Sequence, residues 1–240
     1  MNPSIIIQAR MRSERLPGKI LMPLCDSTIL GWVIDRCKQS LSIKDIIVAT
    51  SDTPADDKIV EYLKEYDVRV FRGSENDVLL RYVGAAEEYG IRDIVRITAD
   101  CPLIDPNIID EVVFLYLSEP CDYAFIEGYP RGTGDAEVVS LEALHRTVKL
   151  ILEDRDGYHE HVTSYIRKNQ FKAIIKSPPK NLTLPDARVC VDTIEDYAVV
   201  WPIADHFSPR KNFTTEEIIK YLVDNPLIRY TNINVEQKDF

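Results

Sequence analysis

Ser4-Ile5-Ile6-Ile7-Gln8, followed at once by Ala9-Arg10-Met11-Arg12-Ser13-Glu14-Arg15-Leu16-Pro17-Gly18-Lys19, is the stretch that decides the fold of this 240-residue chain. The first run is apolar, β-branched and short, which suits a strand buried on both faces. The second is a loop with a Pro-Gly turn. It carries Arg10, Arg12, Arg15 and Lys19 against Glu14 alone, in a chain whose net charge is −10. In an α/β sheet, ligands sit beyond the carboxyl ends of the strands. A cationic loop at that place is a trap for a polyanion, most simply a triphosphate. Arg10 and Arg15 can fork onto phosphate oxygens, Lys19 supplies a point charge, and Gly18 lets the backbone come close. Arg12 is expected to point to solvent.

The rest of the first half repeats the theme. Residues 45–50, 68–71, 94–98 and 123–126 read as strands, and residues 28–39, 56–65, 78–88 and 107–117 as helices. This alternation implies right-handed βαβ units and a doubly wound, mostly parallel sheet. After residue 126 the rhythm changes. A turn-rich loop over 127–134 precedes a strand at 136–140 and a helix from about 141 to 152. A helix is expected at 157–168, strands at 171–176 and 188–191, and helices at 196–206 and 214–223, with Pro202 kinking or ending the first of these. The polar stretch 232–240 reads as loosely held. With 45% hydrophobic residues and no repeat, residues 1–240 form one domain. An acidic chain lacks the broad basic face that nucleic acid requires. No apolar run is long enough for a membrane span, and the first strand leaves no room for a leader, so a cytoplasmic protein is expected. The five cysteines are scattered without a C-x-x-C pair, which suits buried free thiols in a reducing compartment.

Two further constellations carry chemistry. Asp100, in Ile97-Thr98-Ala99-Asp100-Cys101-Pro102-Leu103, ends a hydrophobic strand at the rim where ligands bind. It either holds Mg²⁺, which takes one or two carboxylates plus substrate phosphates, or caps the next turn. Asp192, in Val189-Cys190-Val191-Asp192-Thr193-Ile194-Glu195-Asp196, repeats the arrangement. It is either an N-cap boxed with Glu195 or a second metal ligand. His159 and His161 are two apart and would not share a helical face. Trp32, Tyr62 and Trp201 read as core. The loop lacks the G-x-x-x-x-G-K-[ST] phosphate motif, and no G-x-G-x-x-G follows any strand.

Taken together, Gln8-Ala9-Arg10 with Ser13, Arg15-Leu16-Pro17-Gly18-Lys19, Asp100-Cys101-Pro102-Leu103 and Asp192-Thr193-x-Glu195-Asp196 resemble the sugar-acid cytidylyltransferases, which include the CMP-Kdo and CMP-sialate synthetases. The spore-coat polysaccharide branch of that family is the nearer likeness. It is echoed by residues 71–82 (Phe71-Arg72-Gly73-Ser74-Glu75-Asn76-Asp77-Val78-Leu79-x-Arg81-Tyr82), by Gly134-Asp135-Ala136-Glu137-Val138, and by Glu160-His161-Val162-Thr163-x-Tyr165-Ile166. The likeness spans residues 4–206. Where the better-studied synthetases have Gln before Gly-Asp, this chain has Thr98-Ala99.

The resemblance implies a GT-A-like nucleotide-diphosphosugar transferase fold with a small α+β acceptor and dimerisation segment at about 127–180. It implies Mg²⁺-dependent transfer of CMP from CTP to a small anionic acceptor, a sugar acid or phosphorylated alcohol, in polysaccharide or glycoconjugate synthesis by a homodimer. It places Arg10, Arg15 and Lys19 on the triphosphate and Asp100 and Asp192 on the metal. Gln8, Ala9, Ser13, Arg72, Ser74, Asp77 and Arg81 join them around the nucleotide. Arg131, Asp135, Glu137, Glu160 and His161 face the acceptor. Two other readings remain open: a GT-A glycosyltransferase using a nucleotide sugar, and a nucleotide-binding protein without chemistry.

Overall fold

A computed structural model describes residues 2–151 and 157–236. Its strands are β1 (Ser4–Gln8), β2 (Pro23–Leu24), β3 (Ser27–Thr28), β4 (Ile46–Ser51), β5 (Arg69–Gly73), β6 (Asp93–Thr98), β7 (Tyr123–Ile126), β8 (Glu137–Ser140) and β9 (Ala173–Lys176). Its α-helices are α1 (Ile29–Cys37), α2 (Asp57–Leu63), α3 (Val78–Glu88), α4 (Pro106–Ser118), α5 (Leu141–Leu150), α6 (Ser164–Lys168), α7 (Ile194–Phe207), α8 (Thr215–Asp224) and α9 (Pro226–Arg229). Seven strands form one sheet in the order β5-β4-β1-β6-β8-β7-β9, and β2 and β3 form a separate hairpin. The β5-β4-β1-β6 half is parallel throughout; β8 then runs antiparallel to both β6 and β7, and β9 lies parallel to β7. The expected α/β, mostly parallel architecture is therefore present.

The isoleucine run explains how the layers form. Side chains alternate across a strand. Ile5 and Ile7 face one layer, packed with Val33 and Ile34 of α1, Ile59 of α2 and Val112 of α4. Ile6 faces the other, packed with Leu79 and Tyr82 of α3 and Leu144 of α5. All three isoleucines are fully buried, each contributing roughly 1.5–3 kcal/mol of hydrophobic stabilisation. A third cluster joins Trp32 of α1 to Val199, Val200 and Ile203 of α7 and to Phe213. It clamps the carboxyl-terminal third of the chain to the sheet domain. Among the described residues no helix is long and apolar enough to cross a membrane.

Several expectations need correction. Residues 188–191 are not a strand: they run beside residue 131, with one bridge between Arg131 and Arg188, and beside residue 100, where Val191 N donates to Asp100 O. The helix expected at 157–168 forms only as α6. Gly157 and Val162 both adopt positive φ, and a β-branched residue at φ 28° cannot continue a helix. Pro202 lies inside α7 without ending it. The buried face of Val199, Val200, Ile203, Ala204 and Phe207 outweighs the donor that proline removes. The cap of α7 lies one residue further on than expected. Thr193 is the N-cap and Asp196 completes the box, in place of Asp192 and Glu195. Trp32 is buried, Tyr62 is half-buried, and Trp201 is 41% exposed instead of lying in the core. Residue 152, the expected end of α5, and residues 237–240 of the polar tail lie outside the described residues. All five cysteines are free; three are buried, while Cys25 and Cys121 are half-buried.

Candidate active site

A cleft of about 850 Å³ opens beyond the carboxyl ends of β1 and β6. Gln8 and Thr98 are register partners there, so the cationic loop and the Asp100 turn leave adjacent strands side by side. Two hydrogen bonds and a left-handed turn hold the loop. Met11 N donates to Asp56 Oδ1 at 2.7 Å, Gly18 N donates to Met11 O at 2.8 Å, and Gly18 takes φ 74°, a conformation that favours glycine. Asp56 is buried and also accepts from Thr50 Oγ1 and Ser51 N. Burial pushes its carboxyl upward, and these donors bring it net below the usual range.

At the centre of the cleft two acids meet. Lys19 Nζ lies 2.8 Å from Asp100 Oδ2 and 2.8 Å from Asp192 Oδ1. Arg15 Nη2 lies 2.9 Å from Asp192 Oδ2. Burial alone would lower the Lys19 ammonium, but the two carboxylates outweigh it and raise it. Burial likewise pushes Asp100 up, and Lys19 drives it net well below the carboxylate range. The ammonium marks a point where two hard oxygen donors converge on one cation. That donor set fits Mg²⁺, which binds through one or two carboxylates and completes its octahedron with water and phosphate oxygens. Among the described residues no third His, Cys, Asp or Glu joins them into a closed cage.

Most of the expected site residues line this cleft: Gln8, Ala9, Arg10, Ser13, Arg15, Lys19, Asp100, Arg131, Asp135, Glu137, Glu160, His161 and Asp192. Arg10 Nη2 reaches Glu160 Oε1 at 2.7 Å, which links the cationic loop to the segment before α6. The Arg12 side chain is 72% exposed, as expected. The four remaining residues do not line the cleft. Arg72 is engaged by Ser51 O, Thr53 O and Asp57. Ser74 accepts from Asp77 N. Asp77 caps α3 and bonds His159 Nδ1 at 2.6 Å. Arg81 is buried and donates to Ser74 O. These contacts build the β5–α3 corner that flanks the loop.

Other groups in the site were passed over in the sequence. Arg96 sits within the apolar run of β6, a place where a charge needs a dedicated partner. Its Nη1 lies 2.5 Å from Glu137 Oε2. Tyr123 Oη and Thr163 Oγ1 also donate to Glu137. Burial pushes the Glu137 carboxyl up, and Arg96 and the donors bring it net below its ordinary value. Glu137 thus knits β6, β7, β8 and the 163 turn into one wall of the cleft. Arg167 and Lys168 of α6 line the far end. Glu137→Gln should cost about 3 kcal/mol in urea unfolding, because it strips a buried guanidinium of its counter-charge. The wild-type margin is full above about pH 4.5 and closes as the carboxylate is protonated at lower pH. Equal stability of the two proteins at pH 7 would show that Glu137 is not structural.

The family model described as cytidylyltransferase matches residues 4–233. An uncharacterized protein of Methanocaldococcus jannaschii is 39% identical over 237 residues, 98% of this chain and 96% of that protein. The spore coat polysaccharide biosynthesis protein SpsF of Bacillus subtilis is 35% identical over 227 residues, 92% of this chain and 94% of that protein. The solved structure of a cytidylyltransferase from Leptospira borgpetersenii superposes with a TM-score of 0.87 at 35% identity, covering 100% of this chain and 99% of that one.

Proposed function

Since the chain belongs to the cytidylyltransferase family and is a nucleotidyltransferase, we propose that it transfers CMP from CTP to a small anionic acceptor, with Mg²⁺ held by Asp100 and Asp192 and pyrophosphate released. The observation that carries this reading is the meeting of Asp100 and Asp192 on one cation beside Arg15. When bound, Mg²⁺ would neutralise charge on the α-phosphate and lower the pKa of the attacking oxygen. The chain's own groups do the rest. Arg10, Arg15 and Lys19 grip the β- and γ-phosphates and offset the charge that builds on the leaving pyrophosphate. Gln8 and Ala9 form the wall against which the nucleoside rests. Arg131, His161 and Thr163, which line the cleft, would hold a sugar acid or phosphorylated alcohol for in-line attack.

The similarity to SpsF supports a place in surface polysaccharide or glycoconjugate synthesis. A homodimer built on residues 127–180 is supported by β9, an edge strand of the sheet. An open edge is a natural pairing surface.

The test incubates the protein with Mg²⁺, each nucleoside triphosphate in turn, and a panel of sugar acids and phosphorylated alcohols. Pyrophosphate released with CTP alone, and only with an anionic acceptor, supports the proposal. In a parallel reaction with UDP- and GDP-sugars in place of the triphosphates, release of UDP or GDP would replace it with glycosyl transfer. Thermal stabilisation by nucleotides without turnover would replace it with binding alone.

A further inference from the structure

Behind Asp192, on the side away from the cleft, lies a buried ionic frame. The side chains of Arg188 and Asp196 are 4% and 0% exposed. Arg188 Nε lies 3.0 Å from Asp196 Oδ1, and Arg188 Nη2 lies 2.5 Å from Asp192 Oδ2. Asp196 Oδ2 accepts the backbone N–H groups of Asp192 at 2.9 Å and Thr193 at 3.0 Å. Asn232, buried and far along the chain, donates to Asp196 Oδ1 at 2.8 Å and to Arg188 O at 3.0 Å. Arg188 itself does not line the cleft.

Capping α7 does not require this frame. Thr193 and Asp196 form the box between themselves, and a buried ion pair is weak support for stability compared with apolar packing. What the frame does is divide the two oxygens of Asp192. Oδ2 is held by Arg188 and Arg15, so Oδ1 is left facing Lys19 and Asp100. Asp196 fixes the main chain of Asp192 while Arg188 fixes its side chain. We propose that Arg188 is a positioning residue: by forking between Asp196 and Asp192 it locks the Asp192 carboxylate in the orientation that completes the two-acid cation site, and Asn232 locks Arg188 in turn. The carboxyl-terminal segment thereby becomes part of the catalytic apparatus. This inference rests on the reading of Asp100 and Asp192 as metal ligands.

Charge and geometry act in opposite directions here. As a cation, Arg188 repels a divalent ion; as a fork, it pre-orients the ion's ligand. Arg188→Lys keeps the charge and removes the fork, because an ammonium is a point charge without the planar guanidinium geometry. Mn²⁺ binding to the full-length protein is measured from the electron paramagnetic resonance signal of the free ion, with CTP binding in EDTA and thermal melting alongside. In Arg188→Lys the Mn²⁺ dissociation constant should rise about tenfold while CTP affinity in EDTA stays as in wild type. Asn232→Ser, which leaves both ion pairs in place, should raise it about threefold and serves as the test if Arg188→Lys does not fold. Wild-type Mn²⁺ affinity in the folded variants, with only the melting temperature lowered, would overturn the proposal and leave the frame purely structural. Asp192→Asn separates the two readings. If it loses Mn²⁺ while Arg188→Lys does not, only the positioning role fails; if it too binds Mn²⁺ like wild type, the metal assignment fails and the positioning role with it.

Discussion

Asp100→Asn should lower turnover by roughly 10³ or more while the protein keeps its fold, measured as pyrophosphate release with the acceptor that the screen identifies. The size follows from what the carboxylate would do. Holding the ion that neutralises the α-phosphate is worth several kcal/mol in the transition state, and about 4 kcal/mol corresponds to three powers of ten. The small effect on folding follows from position. Asp100 stands at the cleft rim with its side chain 25% exposed, and Lys19 keeps Asp192 as a partner at 2.8 Å. A shift of melting temperature of only a few degrees is expected. A variant that unfolds instead, or one that turns over normally, would return Asp100 to the role of a turn-capping residue. Adding more Mg²⁺ should not restore the rate fully, because the amide leaves only one charged ligand at the point where two converge.

How legible this site was depended on whether a residue's role is local. The isoleucine run announced a strand buried on both faces because its chemistry is the same in any such strand. Acids that end apolar strands announced the rim, since Asp100 and Asp192 each follow a run that must stop there. Their meeting was expected from the family resemblance and not from spacing, because it depends on residues 188–191 crossing beside residue 100, and that segment read as one more strand. The same misreading hid Arg188: a guanidinium before Val189-Cys190-Val191 looks like a strand end until its two carboxylate partners are in place. Arg96 carried a clearer signal, a charge inside the run of β6, which can be buried only against a counter-charge. Arg72, Ser74, Asp77 and Arg81 followed a motif, and a motif does not distinguish a residue that touches a ligand from one that shapes the corner beside it. At 157–168 the spacing suited a helix, but the positive φ of Val162 is set by tertiary packing of its fully buried side chain, which no local pattern records.

Lys19→Met should have the largest effect on the nucleotide and should also expose the logic of the two acids. In the wild type the ammonium, 10% exposed at its side chain, is the shared counter-charge of Asp100 and Asp192. Replacing it with an apolar chain of similar length leaves two carboxylates facing each other without it. Removing one member of a fully buried pair costs about 3–5 kcal/mol. These carboxylates retain some contact with water, and Arg15 and Arg188 still hold Asp192, so a loss nearer ~1–2 kcal/mol is expected here after screening. The loss should be largest in EDTA. Millimolar Mg²⁺ or Mn²⁺ should restore most of it, since a divalent ion can take the place of the ammonium between the acids, and binding to the native state alone stabilises by mass action. Wild-type protein, whose acids are already neutralised, should gain less from the same metal. Nucleotide binding should move the other way. CTP affinity should fall by about 100-fold, the equivalent of a lost charge-assisted contact of about 3 kcal/mol, whereas CMP, which lacks the phosphates assigned to Lys19, should bind nearly as before. Calorimetric melting with and without metal checks the first half, and titration with CTP and CMP checks the second. A variant whose stability ignores metal would deny that Asp100 and Asp192 form a cation site, and equal loss of CTP and CMP would deny Lys19 its place on the leaving pyrophosphate.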